Sequence, residues 1–208
     1  MPKQANPQRR AFWLKHLHRW HWISSAACLM GMLLFAITGL TLNNASLIEA
    51  KPEVKTETRQ LPEPLQRLLS QNTSTDKQPL PGALADWLAA ELAVQAADKP
   101  AEWSEEEIYL SLPRPGGDAW LSIDRASGEL TYELTQRGWV AYLNDLHKGR
   151  HTGTAWSWFL DLFAVSALLF SLTGLFLLQI HAGQRPATWP MVGLGLVLPV
   201  VLALLFIH

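Results

Sequence analysis

The sequence predicts a membrane α-helical protein, with three transmembrane helices and a small α+β domain between helices 1 and 2. Three observations predict it. Residues 22–42, 156–180 and 191–207 are apolar runs, with Asp161 the only charge inside the second. A spanning helix needs about 20 apolar residues, with about 17 the lower limit. The stretch between the first two runs is long, polar and acid-rich, with Glu102, Glu105, Glu106 and Glu107 its densest cluster. The mean hydropathy of +0.06 therefore averages two different kinds of chain.

Taken in order, residues 1–15 read as a basic cytoplasmic tail. Residues 16–43 read as transmembrane helix 1, ended by Asn43-Asn44. Residues 49–81 carry Pro52, Pro62, Pro64, Pro79 and Pro81 among Thr, Gln and charge, which predicts a linker with a short helix near residues 65–69. Residues 83–97 are strong helix formers with a stripe of Leu84, Trp87, Leu88 and Leu92. Residues 108–112, 119–124 and 129–136 read as three strands, the last two joined by a turn that Asp124 starts and Gly128 closes. One helix against three antiparallel strands makes the small domain. Residues 139–151 read as a further helix. The linker and domain together occupy 44–152, transmembrane helix 2 occupies 153–181, a cytoplasmic loop 182–188, and transmembrane helix 3 occupies 189–208.

Basic residues set the orientation. Lys3, Arg9, Arg10, Lys15 and Arg19 precede the first run with no acid among them, and the short second loop carries Arg185 and no acid. The positive-inside rule puts both in the cytoplasm, and the middle domain and C-terminus outside, in the periplasm of a bacterium. Trp20, Trp22, Trp156, Trp158 and Trp189 fall at the interfaces this implies. The first run lacks a small-residue cleavage site and reads as an uncleaved anchor. Cys28, the only cysteine, lies in the first run, so neither an intrachain disulfide nor a thiolate metal centre is expected. No nucleic-acid partner is expected.

Six of the seven histidines stand where an apolar run begins or ends: His18, His21, His147, His151, His181 and His208. Imidazole is costly in lipid and is the commonest protein ligand for metals and haem iron. Interface anchoring is the other reading of the set. A weak repeat accompanies them: Phe-Ala-Ile-Thr-Gly-Leu at 35–40 and Phe-Ser-Leu-Thr-Gly-Leu at 170–175. The two helices run in opposite directions. Thr38-Gly39 therefore comes near His147 and His151, and Thr173-Gly174 near His18 and His21. Such small surfaces suit either the edge of a haem or ordinary helix packing. An inner pocket would use His21 or His18 with His181, with Arg19 and Arg185 for propionates. An outer pocket would use His147 or His151 with His208. His147 and His151 also have i, i+4 spacing for one small metal ion. Asp161, an acid at membrane depth, is a candidate partner for a histidine's second nitrogen or a helix-paired carboxylate. His16 reads as surface.

Leu-His-Arg-Trp-His-Trp-Ile at 17–23, the Thr-Gly endings of both runs, and Leu-Asn-Asp-Leu-His-Lys-Gly-Arg-His-Thr-Gly at 143–153 resemble the PepSY-associated transmembrane helix family in its short three-span form. The strand-turn-strand around 124–134 resembles the core of a periplasmic PepSY-like domain. The larger relatives are inner-membrane reductases that carry b-type haem and release iron from siderophores. The resemblance thus implies one or two b-type haems held at His18 or His21 and at His147 or His151, and a ferric-siderophore reductase or a subunit of one. With three spans, a homodimer or a membrane partner subunit would complete the pockets. No G-x-G-x-x-G or P-loop is present, so electrons must come from a cytoplasmic protein or a quinol and pass to a ferric chelate. The alternative is a non-enzymatic membrane module whose periplasmic domain binds a protein partner or metal ion.

Overall fold

The computed structural model describes residues 7–48, 51–72 and 76–207. Three helices are long and apolar enough to cross a membrane: α1 (Pro7–Asn43), α5 (Thr154–His181) and α6 (Thr188–Phe206). Between α1 and α5 the chain forms β1 (Glu53–Gln60), α2 (Glu63–Ser70), β2 (Gln78–Pro79), α3 (Gly82–Leu92), β3 (Pro100–Trp103), β4 (Glu107–Ser111), β5 (Gly117–Asp124), β6 (Glu129–Gln136) and α4 (Gly138–Lys148). Two compact units result: residues 1–35 with 158–208, and residues 36–157.

In the first unit, α1 turns small residues toward α5. Ser24 and Cys28 are buried, and a Cβ added at Gly31 would meet the Phe163 ring at 2.4 Å. Phe35 stacks on Phe163 with centroids 4.8 Å apart. Small residues of this kind let membrane helices approach closely. Leu29, Met30, Leu33 and Leu34 on α1 are exposed, as lipid-facing residues must be. α6 has no buried residue among those described. Residues 7–15, read from the sequence as tail, are helical and belong to α1, because nothing between Pro7 and the apolar run breaks the helix.

The second unit is built on a six-stranded antiparallel sheet in the order β1-β6-β5-β4-β3-β2. Alternation on β4 and β5 sends Ile108, Leu110, Leu121 and Ile123 inward, where they meet Leu69, Leu84 and Leu88 of α2 and α3 in one core. The Arg125 guanidinium lies over the Trp103 ring and donates to the carbonyls of Ser104 and Asn72, which fastens the end of α2 to the sheet.

Three sequence expectations are corrected here. The proline-rich segment is not a linker: besides the short helix expected there (α2) it supplies strands β1 and β2, and with β3 further along the chain the sheet has six strands rather than three. β1 escaped notice because all eight of its residues are exposed, so it has no hydrophobic alternation. α3 stops at Leu92, not at 97. Ala93 takes a left-handed φ of 53°, and the turn carries Val94 and Ala96 into the core; burial there overrides helix propensity. α4 stops at Lys148, because Gly149 caps it with φ 65°. His151 then has φ 57° and lies in a turn, so it shares no helix face with His147.

Candidate functional site

The end of α1 meets α4 through polar side chains. His147 Nδ1 lies 2.7 Å from Thr38 Oγ1, and Thr41 Oγ1 donates to Asn144 Oδ1 at 2.9 Å. On the other side of α4, the buried Asp145 accepts from the backbone N–H of Gly116 at 2.9 Å and from Arg137 at 3.4 Å. Asn144, Asp145, Arg137 and Thr41 were missed as participants. Their signal was available: an Asn-Asp pair three and two residues before a histidine, on a helix that borders a membrane span.

Along α1 and α5 a second histidine makes a matching contact. His21 Nδ1 donates to the Phe170 carbonyl at 3.2 Å and to Thr173 Oγ1 at 3.0 Å, while Thr173 Oγ1 donates to the Leu169 carbonyl at 2.7 Å. The His21 ring stacks on Phe170 at 4.7 Å. A Cβ added at Gly174 would stand 3.4 Å from His21 Cε1, and one at Gly39 would stand 3.6 Å from His147 Cε1. Each Thr-Gly surface therefore receives an imidazole edge. The space that the sequence reading left for a haem edge is filled by the histidine itself.

His18 and His181 form a different arrangement. Their rings meet edge to face, with centroids 6.1 Å apart and planes at 84°. His18 Nδ1 donates to the Leu14 carbonyl and His181 Nδ1 to the Leu177 carbonyl, each at 2.8 Å. A carbonyl only accepts, so both Nδ1 atoms carry a proton, and neither Nε2 has a hydrogen-bond partner among the described residues. Anchoring one imidazole nitrogen on a carbonyl is how metal-ligating histidines are held. Of the inner pairings considered, the structure brings together His18 and His181, and sends His21 to Thr173.

The remaining candidates stand apart. His151 is exposed beside a cleft bordered by Lys77, Lys99 and Glu102. Asp161 is exposed and makes no hydrogen bond or ion pair among the described residues, so no histidine uses it as a partner there. Arg19 is exposed on α1. His208 lies outside the described residues. His16 is not simply surface. It is half-buried, packs on Phe12 at 4.3 Å, and borders an apolar cleft of about 470 Å³ with Trp13, Trp20 and Leu169. The sheet unit carries a cleft of about 430 Å³ between Arg114, Gly117, Trp139 and Tyr142, where Trp139 is 78% exposed.

Among the described residues, no three His, Cys, Asp or Glu side chains are gathered as a metal-ion site. A bare zinc or similar ion needs three or four protein ligands. Haem asks less, because the macrocycle supplies four donors and the protein only axial ones. Two imidazoles sharing a metal at about 2 Å each would hold their centroids roughly 6 Å apart. The His18 and His181 centroids stand 6.1 Å apart.

A family model described as "Putative PepSY_TM-like" matches residues 12–208. No curated protein and no solved structure matches the chain.

Proposed function

This chain belongs to the PepSY_TM-like family of membrane proteins, and on that premise we propose that it is a bacterial inner-membrane protein that holds b-type haem and passes electrons across the membrane. The observation that carries this reading is the His18–His181 pair. Two imidazoles stand 6.1 Å apart, each held at its Nδ1 by a carbonyl of its own helix. Haem bound there would supply one-electron redox chemistry. His18 and His181 would hold the iron, and Arg19 and Arg185 are the cations nearest in sequence for its propionates. His21 would fix the register of α1 on α5 through Thr173 and Gly174, which sets where His18 falls.

The basic residues before and after the spans support a cytoplasmic N-terminus and a periplasmic sheet domain. With no nucleotide motif in the chain, the electrons would come from a cytoplasmic protein or a quinol. A ferric siderophore or other ferric chelate on the periplasmic side would be the acceptor. The test is a reduced-minus-oxidised absorption spectrum of the purified full chain. A b-type α band that appears on reduction supports the reading, and its absence removes it.

The polar contacts of α4 favour a second reading. Asn144, Asp145 and His147 all have protein partners, so this motif holds architecture together, and the exposed Trp139 cleft is then free to receive a protein partner. On that reading the chain is a membrane module without a cofactor, and the spectrum is blank.

A further inference from the structure

The sheet has one long open edge among the described residues. β1 is terminal in the strand order, and all eight of its residues are exposed. Its other side pairs with β6 in a register that sets Arg59 against Leu130 and Glu53 against Gln136. The Leu61 N–H donates to the Gly128 carbonyl, one step beyond the last pair of that register. Hydrogen-bonded pairs alternate along an antiparallel ladder. Residues 53, 55, 57 and 59 therefore spend their main-chain groups on β6. Val54, Thr56, Thr58 and Gln60 direct their N–H and C=O groups outward, where no strand pairs with them among the described residues; the Thr58 carbonyl accepts from the Arg59 guanidinium at 3.1 Å.

An open edge of this length is an invitation to another strand, and the side chains decide which strand is welcome. On the face shared with Leu130, Tyr132 and Leu134, β1 carries Glu53, Lys55, Glu57 and Arg59, with charges alternating in sign. Arg59 pairs with Glu57 of its own strand at 2.8 Å, while Glu53 and Lys55 have no ion-pair partner among the described residues. Now set a second β1 antiparallel to the first, with Thr56 opposite its own copy. Glu53 then faces Arg59 of the other chain, and Lys55 faces Glu57. Thr56 meets Thr56, and Val54 meets Thr58. Every charge meets its opposite, twice over by symmetry. The outward-directed groups at 54, 56 and 58 are the ones this register requires, and they would make about six main-chain hydrogen bonds. Moving either strand by two residues sets both Lys55 and Glu57 against like charges.

We propose that β1 is a homodimer interface: two copies of this chain pair their β1 strands antiparallel about Thr56, joining two six-stranded sheets into one. The partner is a second copy because the charge series complements itself in this register. The proposal stands independently of haem binding.

The experiment is disulfide trapping of the full chain in its own membrane, before extraction, by single cysteines. Cys28 is buried, and the unaltered chain is the control. Hydrogen-bonded antiparallel pairs place their Cα atoms about 5.5 Å apart, within disulfide reach. Thr56→Cys should therefore give a covalent dimer on mild oxidation. Val54→Cys alone should not, because its own copy lies about four residues along the strand, roughly 14 Å away. Val54→Cys mixed with Thr58→Cys should cross-link again. In detergent, Glu57→Lys should weaken the dimer about tenfold or more, and adding Lys55→Glu should restore it. A Thr56→Cys chain that stays monomeric overturns the proposal. So does one that cross-links only to a different protein, and so does Val54→Cys cross-linking as readily as Thr56→Cys.

Discussion

His147 Nδ1 lies 2.7 Å from Thr38 Oγ1, and a Cβ on the next residue, Gly39, would stand 3.6 Å from the same ring. A histidine on a helix that leads into one span thus rests on the Thr-Gly step of another. Interhelical hydrogen bonds of this kind contribute roughly 0.6–1.7 kcal/mol. Thr38→Val is expected to lower stability by about 1 kcal/mol, and Thr38→Ser by much less, read as the thermal midpoint of the purified chain. Equal losses for the two would mean that the hydroxyl is not the stabilising group.

Gly31 is set by Phe163 rather than by a turn. A Cβ there would stand 2.4 Å from the ring, and Phe163 is already stacked on Phe35. Gly31→Leu is expected to force α1 and α5 apart, with a loss of about 1–3 kcal/mol. Gly193 has nothing within 4 Å of such a Cβ, so Gly193→Leu is the matched control. Unfolding in a graded denaturing detergent compares them, and similar midpoints would contradict the close approach.

The Asp124 carboxyl is held below its ordinary value of 3.8 by the Ser127 backbone N–H, then by the Ser127 hydroxyl, with the Ala126 N–H adding to both. A depressed carboxylate contributes stability that is fully present above its unfolded pKa, near 4, and is lost as pH falls through the lower folded value. Thermal midpoints measured from pH 6 downward should fall for the unaltered chain below about pH 4. For Asp124→Asn that part of the slope should disappear. Parallel curves would show that the turn does not depend on the charge.

The spans were legible because hydrophobic length needs no tertiary context. The meetings of Thr38 with His147 and of Thr173 with His21 were legible for a related reason: two spans joined across one side run in opposite directions, which fixes which ends meet. β1 was not legible, since an edge strand exposed on both faces carries no burial pattern, and its charges read as linker composition. The end of α4 was written in Gly149 and read past, which put His151 on a helix it does not share. The choice of His18 over His21 as the neighbour of His181 was out of reach. Three residues along α1 separate the two, and only the packing of His21 on Phe170 and Gly174 decides between them.

The central claim is that His18 and His181 hold haem while His21 holds the helices. Haem bound per protein, measured on purified full-length chain, tests it most directly. His18→Ala and His181→Ala should each lose most of the haem at unchanged protein yield, while Ser171→Ala, whose exposed hydroxyl donates within α5 to the Ala167 carbonyl, should keep it. An unaltered chain that carries no haem after expression with ample haem supply, or His18→Ala and His181→Ala chains that retain the full complement, would contradict the account.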